Sequence, residues 1–284
     1  MAAEFLPAYT MRGFDRHNVP RWQMVPAGGE RWVILRGGAG LSVTSAAPAT
    51  ATISEVTAAS LPAGERAPTL AGDRFFKIEG KAKGNTTIEA KLLLLTLTSL
   101  LVGVKNRKTV NLAFNFVKDN AGHSTARARA SAAEWVKGIH YIYFGQTNIE
   151  MKVKTSRWVT VPQNLGRVVR FSQHLPGVPA AQHEWNAVTA LGDATADMNI
   201  FLVWEYEQDN TPFSDQTDAG TLANNCIFED HAGAQLAPTF SHEIGHFLGC
   251  PDHYILARKR ELMYGVTDAR GVHIPKADAD IMNP

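Results

Sequence analysis

The chain has little cysteine, no long apolar run and no surplus of charge, and each shortage excludes a class of protein. Its 284 residues include only Cys226 and Cys250. Two cysteines are too few to staple a disulfide scaffold. One bond between them, or two buried thiols, are both open readings. Lys plus Arg number 28 and Asp plus Glu 27, a net charge of +1. That balance gives no electrostatic reason to expect nucleic acid or an anionic membrane as partner. The longest apolar stretch, Leu92 to Val104, is too short to cross a bilayer and is broken by Thr96, Thr98 and Ser99. It reads as sheet core. Met1 to Asn18 has neither the basic start nor the apolar middle of a secretory leader. No tract is low-complexity and no repeat is visible. What remains is globular in composition, with 45% hydrophobic and 19% charged residues.

Three stretches differ in pattern. Residues 1–27 hold Pro7, Pro20 and Pro26 and read as irregular. Residues 28–107 alternate short apolar runs with turn signals. The runs are Arg31–Arg36, Leu41–Thr44, Ala51–Val56, Arg74–Ile78 and Thr86–Leu92; Gly37-Gly38, Pro62-Ala63-Gly64 and Gly84-Asn85 fall between them. Short strands so spaced predict an antiparallel β-sandwich. The pattern, Gly84 to Ala90 above all, resembles bacterial immunoglobulin-like domains. No catalytic constellation lies there, and the expected role is accessory.

Residues 108–284 predict an α/β catalytic domain, making the chain α+β overall. Thr109–Val117 alternates as a strand should. Ala132, Trp135, Val136, Ile139 and Ile142 recur at helical spacing within Ser131–Phe144. Thr147–Lys154 and Ser156–Val161 read as two strands or a hairpin, Met198–Tyr206 as a buried strand, and Leu222–Phe228 as an edge strand. Ala237–Leu248 reads as a helix, with Pro238 near its start, where proline is tolerated.

That helix carries His242-Glu243-Ile244-Gly245-His246. Residues four apart share one helical face, so two imidazoles can hold one zinc ion from one side. Glu243, beside the first ligand, is placed to act as general base toward a water on that zinc. The five residues alone are a weak signal; their extension strengthens it. Gly249 follows His246 by three and Asp252 follows Gly249 by three. A glycine there lets the chain turn sharply so that a third ligand returns to the metal. Asp252 has the spacing of that ligand, and His253 competes because imidazole is the commoner zinc ligand. Glu261-Leu262-Met263-Tyr264-Gly265 comes shortly after.

His242 to Tyr254 followed by Glu261 to Gly265 resembles the metzincin clan of zinc peptidases, nearest in motif to its snapalysin-type branch of small secreted bacterial proteases. The resemblance implies one catalytic Zn2+ held by His242, His246 and Asp252. It implies Glu243 as base and Met263 in a tight turn under the ligands. Tyr254 becomes a possible donor to the oxyanion, against a merely packed aromatic. Leu222, Ala223, Asn224 and Asn225 become a possible edge that pairs with a peptide substrate. The expected function is a zinc endopeptidase acting on protein or peptide, delivered outside the producing cell. Two alternatives stand: a metal-binding interaction module without activity, and an amidase or endopeptidase acting on peptidoglycan peptides. The loop Ile255–Arg260 departs from that branch and leaves substrate preference open. Asp230 and His231, just before the helix, read as surface polar residues rather than partners of a ligand. Oligomeric state is not legible.

Overall fold

A computed structural model describes residues 2–170, 183–207, 219–230, 236–266 and 270–284. His231 and His174 lie outside the described residues. The fold is α+β, with far more strand than helix. Contacts divide the chain into two compact units. Unit 1 is Met1–Lys108, Ile142–Ile149 and His273–Pro284; unit 2 is Thr109–Tyr141 and Glu150–Val272.

Unit 1 holds β1 (Glu4–Pro7), β2 (Phe14–Asp15), β3 (Trp22–Pro26), β4 (Glu30–Arg36), β5 (Ser42–Ser45), β6 (Ala51–Val56), β7 (Arg74–Gly80), β8 (Gly84–Leu92) and β9 (Leu95–Lys105). They form two sheets, ordered β1-β4-β7-β6 and β2-β3-β9-β8-β5. All pairings are antiparallel except β3 with β9. Alternation explains the packing, because every second side chain faces inward. Val33, Leu35, Phe76 and Ile78 from the first sheet share one core with Val25, Ile88, Leu100, Val102 and Val104 from the second. Each fully buried aliphatic side chain adds roughly 1.5–3 kcal/mol.

Two expectations fail here. The first 27 residues are not irregular: they carry β1, β2 and β3. Pro7 ends β1, a sheet-edge strand, and Pro26 ends β3, so the prolines that signalled irregularity sit where a strand tolerates them. Leu92 to Val104 is only half core. Leu100, Val102 and Val104 point inward, whereas Leu92 to Leu95 and Leu97 are exposed at the β8–β9 turn.

The C-terminal segment is pinned within unit 1 by polar contacts. Lys105 Nζ donates to Asp280 Oδ1 at 2.9 Å and to the carbonyl of Asn283 at 2.6 Å. Asp15, buried, accepts from the backbone N–H of His17 at 2.9 Å and of Lys276 at 3.0 Å. Burial alone would raise its carboxyl, but His273 and these N–H donors outweigh it and hold it far below the usual carboxylate range.

From Lys108 the elements are β10 (Lys108–Asp119), α1 (Ala132–Thr147), β11 (Ile149–Val161), β12 (Val169–Arg170), α2 (Glu184–Thr189), β13 (Met198–Val203), β14 (Tyr206–Glu207), β15 (Ala219–Leu222), β16 (Asn225–Glu229), α3 (Leu236–Phe247) and α4 (Lys276–Met282). The two expected strands after α1 are one long strand, β11. The unit 2 sheet is ordered β11-β10-β13-β16-β15. β10, β13 and β16 run parallel, and β15 returns antiparallel to β16. All six residues of β13 are buried, as a strand covered on both faces requires. On one face Phe114 and Phe228 pack against Trp135 of α1 and Phe240 of α3. On the other, Val117, Phe201 and Ile227 share a core with Trp185 of α2. This three-layer packing fixes α3 against the sheet.

The expected edge strand Leu222–Phe228 is a hairpin instead. Leu222 pairs with Asn225 across a turn of Ala223 and Asn224. Ala223 has φ +53, and that reversal is invisible in an apolar run with two asparagines.

Candidate metal centre

Helix α3 divides its side chains by face. Phe240 and Ile244, four apart, are fully buried, and the Phe240 ring centroid lies 4.4 Å from that of Phe228. His242 and His246, also four apart, lie together on another face. At Gly138 of α1, an added methyl would meet the Ala237 side chain at 2.7 Å, so the two helices touch closely there.

The helix ends on Gly249 at φ +98. Cys250 N–H donates to the carbonyl of Gly245, and Gly249 N–H to that of His246, both at 2.9 Å. This pair of bonds is a Schellman cap, which needs a left-handed residue at the position Gly249 fills. The reversal carries Asp252 back to the histidines. Asp252 Oδ1 lies 3.1 Å from His242 Nε2 and 3.6 Å from His246 Nε2, and the two Nε2 atoms are 3.1 Å apart.

The tautomers follow from the backbone. His242 Nδ1 is 2.8 Å from the carbonyl of Leu262, and His246 Nδ1 is 2.9 Å from that of Cys250. A carbonyl only accepts, so each Nδ1 carries the proton and each neutral ring leaves Nε2 bare. Two lone pairs and a carboxylate oxygen therefore converge on one point, which is unfavourable unless a cation sits there. A tetrahedral zinc spaces its ligand atoms by roughly 3.3 Å, given bond lengths near 2.0–2.1 Å. The observed 3.1, 3.1 and 3.6 Å bracket that value. The donor set fits one divalent ion, with hydrogen bonds to carbonyls orienting both rings.

The remaining site residues fall out as follows. His253 does not join the cluster: its Nε2 lies 3.1 Å from Glu261 Oε2, and Glu261 also accepts from Arg258 at 2.8 and 2.6 Å. Met263 is fully buried in a turn closed by Tyr264 N–H to Glu261 O at 3.3 Å. That turn is tied to the ligand strand, since His253 N–H donates to Met263 O and Gly265 N–H to His253 O. Glu243 is nearly buried, beside the ligands and outside their cluster. Tyr254 is largely exposed and lies on Gly265, where an added methyl would meet its ring at 2.5 Å. Leu222 ends the outermost strand β15, Ala223 and Asn224 form its turn, and Asn225 opens β16. Cys226 and Cys250 are both buried free thiols. Asp230 pairs with Arg127 at 3.2 Å and accepts from Thr125 Oγ1 at 2.6 Å.

Two residues at the site gave no sign in the sequence. Thr221 Oγ1 donates to Glu243 Oε2 at 2.6 Å, fixing the carboxylate from β15. Arg270 donates to the carbonyl of Tyr264 at 2.9 Å, and the carboxylates of Glu243 and Asp252 favour its charge. Burial lowers its pKa. Neither residue sits at a motif spacing, because both arrive through the fold.

No protein-family model matches the chain, and no curated protein matches it. Among solved structures the chain is similar to metalloproteinase-II from Bacteroides fragilis, with TM-score 0.36 and 10% identity, over 91% of this chain and 84% of that one. It is also similar to domains 5-6 of the S-layer protein SbsC, with TM-score 0.24 and 17% identity, over 44% of this chain and 56% of that one. Domains 4 and 5 of the same protein give TM-score 0.21 and 21% identity, over 28% of this chain. The chain spans 45% of that fragment and 12% of the structure of SbsC domains 1-6. At such low TM-scores these likenesses carry no weight for function, and the site geometry stands by itself.

Proposed function

We propose that the chain is a zinc-dependent endopeptidase of metzincin type, with His242, His246 and Asp252 holding the ion and Glu243 acting as general base. The observation that carries this reading is the convergence of two bare Nε2 atoms and one carboxylate oxygen, with Glu243 beside them but outside the cluster. A structural zinc takes four protein ligands and needs no base; three ligands leave one position open.

Zinc, when bound, supplies Lewis-acid chemistry toward a peptide carbonyl and the attacking water. Glu243 takes a proton from that water and passes it to the departing amine. Thr221 keeps one Glu243 oxygen occupied and so aims the other. Tyr254, exposed two residues after Asp252, is available to donate to the oxyanion. A peptide substrate adds as an antiparallel strand to β15, the outermost strand among the described residues, where Leu222 lies, and the Ala223-Asn224 turn bounds it. The sheets of unit 1, which share one core, support its reading as an immunoglobulin-like β-sandwich accessory to this catalytic domain.

The ligand set is tested by zinc content and hydrolysis of an unspecific protein substrate in Asp252→Ala and His253→Ala. Asp252→Ala should lose both the metal and the activity, and His253→Ala should keep its zinc. The reverse result would move the third ligand to His253.

A further inference from the structure

The β8–β9 hairpin ends in five exposed leucines. Leu94 is 98% and Leu93 89% exposed; Leu92, Leu95 and Leu97 are each close to or above half exposed. The strand ladder closes on the pair Leu92↔Leu95, which leaves Leu93-Leu94 as a two-residue loop. Leu93 has φ +55. The first position of such a loop is where glycine or asparagine avoids strain. A leucine there sacrifices good turn chemistry for an apolar side chain that is almost wholly exposed.

The directions of these side chains bear on what covers them. Along a hairpin, successive residues face opposite sides. Leu92 and Leu95, paired across the ladder, therefore share one face, and Leu93 and Leu94 project off the end. A flat protein interface covers one face of a hairpin, whereas hydrocarbon surrounds a tip on all sides. The composition agrees. No charged residue occurs from Leu92 to Val104. The nearest charge, Lys91, is neutralised by Glu89 at 2.7 Å. A neutral tip lacks the basic residues that a site for anionic headgroups would need. Among the described residues no helix is long and apolar enough to cross a membrane.

We propose that this hairpin tip inserts into the hydrocarbon of a phospholipid bilayer, independently of headgroup charge, and so anchors unit 1 to a lipid surface. The proposal does not depend on the peptidase reading.

Co-sedimentation of the full chain with phosphatidylcholine vesicles tests it, alongside a Leu93→Asn, Leu94→Asp double variant. Asparagine suits the left-handed position, so the variant should fold with unchanged or higher Tm. The wild type should sediment with vesicles, and the variant's partition coefficient should fall by about a hundredfold or more. The emission of a Leu94→Trp variant should shift to the blue, relative to wild type, when vesicles are added. Adding anionic lipid should change partitioning little. Absence of wild-type binding, or equal binding by the double variant, would overturn the proposal. So would a concentration-dependent dimer lost in the variant while neither protein binds vesicles, since a second copy would then cover the tip.

Discussion

Gly249 and Leu93 both sit in the left-handed region, each at a turn, and they do so for opposite reasons. At Gly249 (φ +98) the backbone dictates the residue. The Schellman cap requires that conformation, glycine adopts it without strain, and the reward is the return of Asp252 to within 3.1 Å of His242. At Leu93 (φ +55) the side chain dictates the residue, and the backbone bears a strain of about 1–2 kcal/mol. One turn serves a polar cluster that runs from buried His242 to exposed Asp252. The other serves an exposed apolar tip with no polar requirement. Local backbone geometry therefore reports function only when read with burial and chemistry.

Substitutions can break or sharpen this contrast. The largest effect is expected at the polar cluster. Glu243→Gln should retain one zinc, because Glu243 is no ligand, and lose about 10²–10⁴-fold in kcat against a protein substrate. Gly249→Ala comes next. It should lower stability by about 1–2 kcal/mol, read from denaturant midpoints, and weaken zinc affinity because Asp252 no longer returns cleanly. At Leu93, by contrast, asparagine should raise stability by a few tenths to 1 kcal/mol. Equal losses at both turns would end the distinction. Thr221→Val should cost roughly tenfold in kcat with little change in KM or zinc content, as expected of a residue that positions Glu243 through a hydrogen bond.

The effect at Asp15 stands outside this order, because it depends on pH. Its folded-state pKa is depressed, so its contribution is present above the unfolded value near about 3.9 and disappears as pH falls below that. Asp15→Asn should therefore destabilise by roughly 1.5–3 kcal/mol at pH 7. The gap between variant and wild type should close in acid. A gap that stays constant down to strongly acidic pH would assign the effect to packing rather than charge.

What was legible in the sequence follows the same division. The spacing of His242, Glu243, His246, Gly249 and Asp252 is local, so helix periodicity and turn chemistry foretell the cluster seen in space. The helix of Trp135 and Ile139 and the buried strand β13 were legible because their burial imposes one period. Thr221 and Arg270 were not, since they reach the site from other elements through sheet order and loop path. The hairpin hidden in Leu222–Phe228 turns on Ala223, a residue with no turn preference. The leucines of Leu92–Leu97 misled for a physical reason: an apolar run has the same composition whether it faces a core or leaves the surface.

The most direct measurement is zinc content together with cleavage of an unspecific protein substrate, on the same samples of wild type and Glu243→Gln. One zinc per chain in both, with cleavage by the wild type alone, is the predicted result. Full cleavage by a zinc-loaded Glu243→Gln protein, or no bound metal in either, would contradict a zinc centre that uses Glu243 as its base.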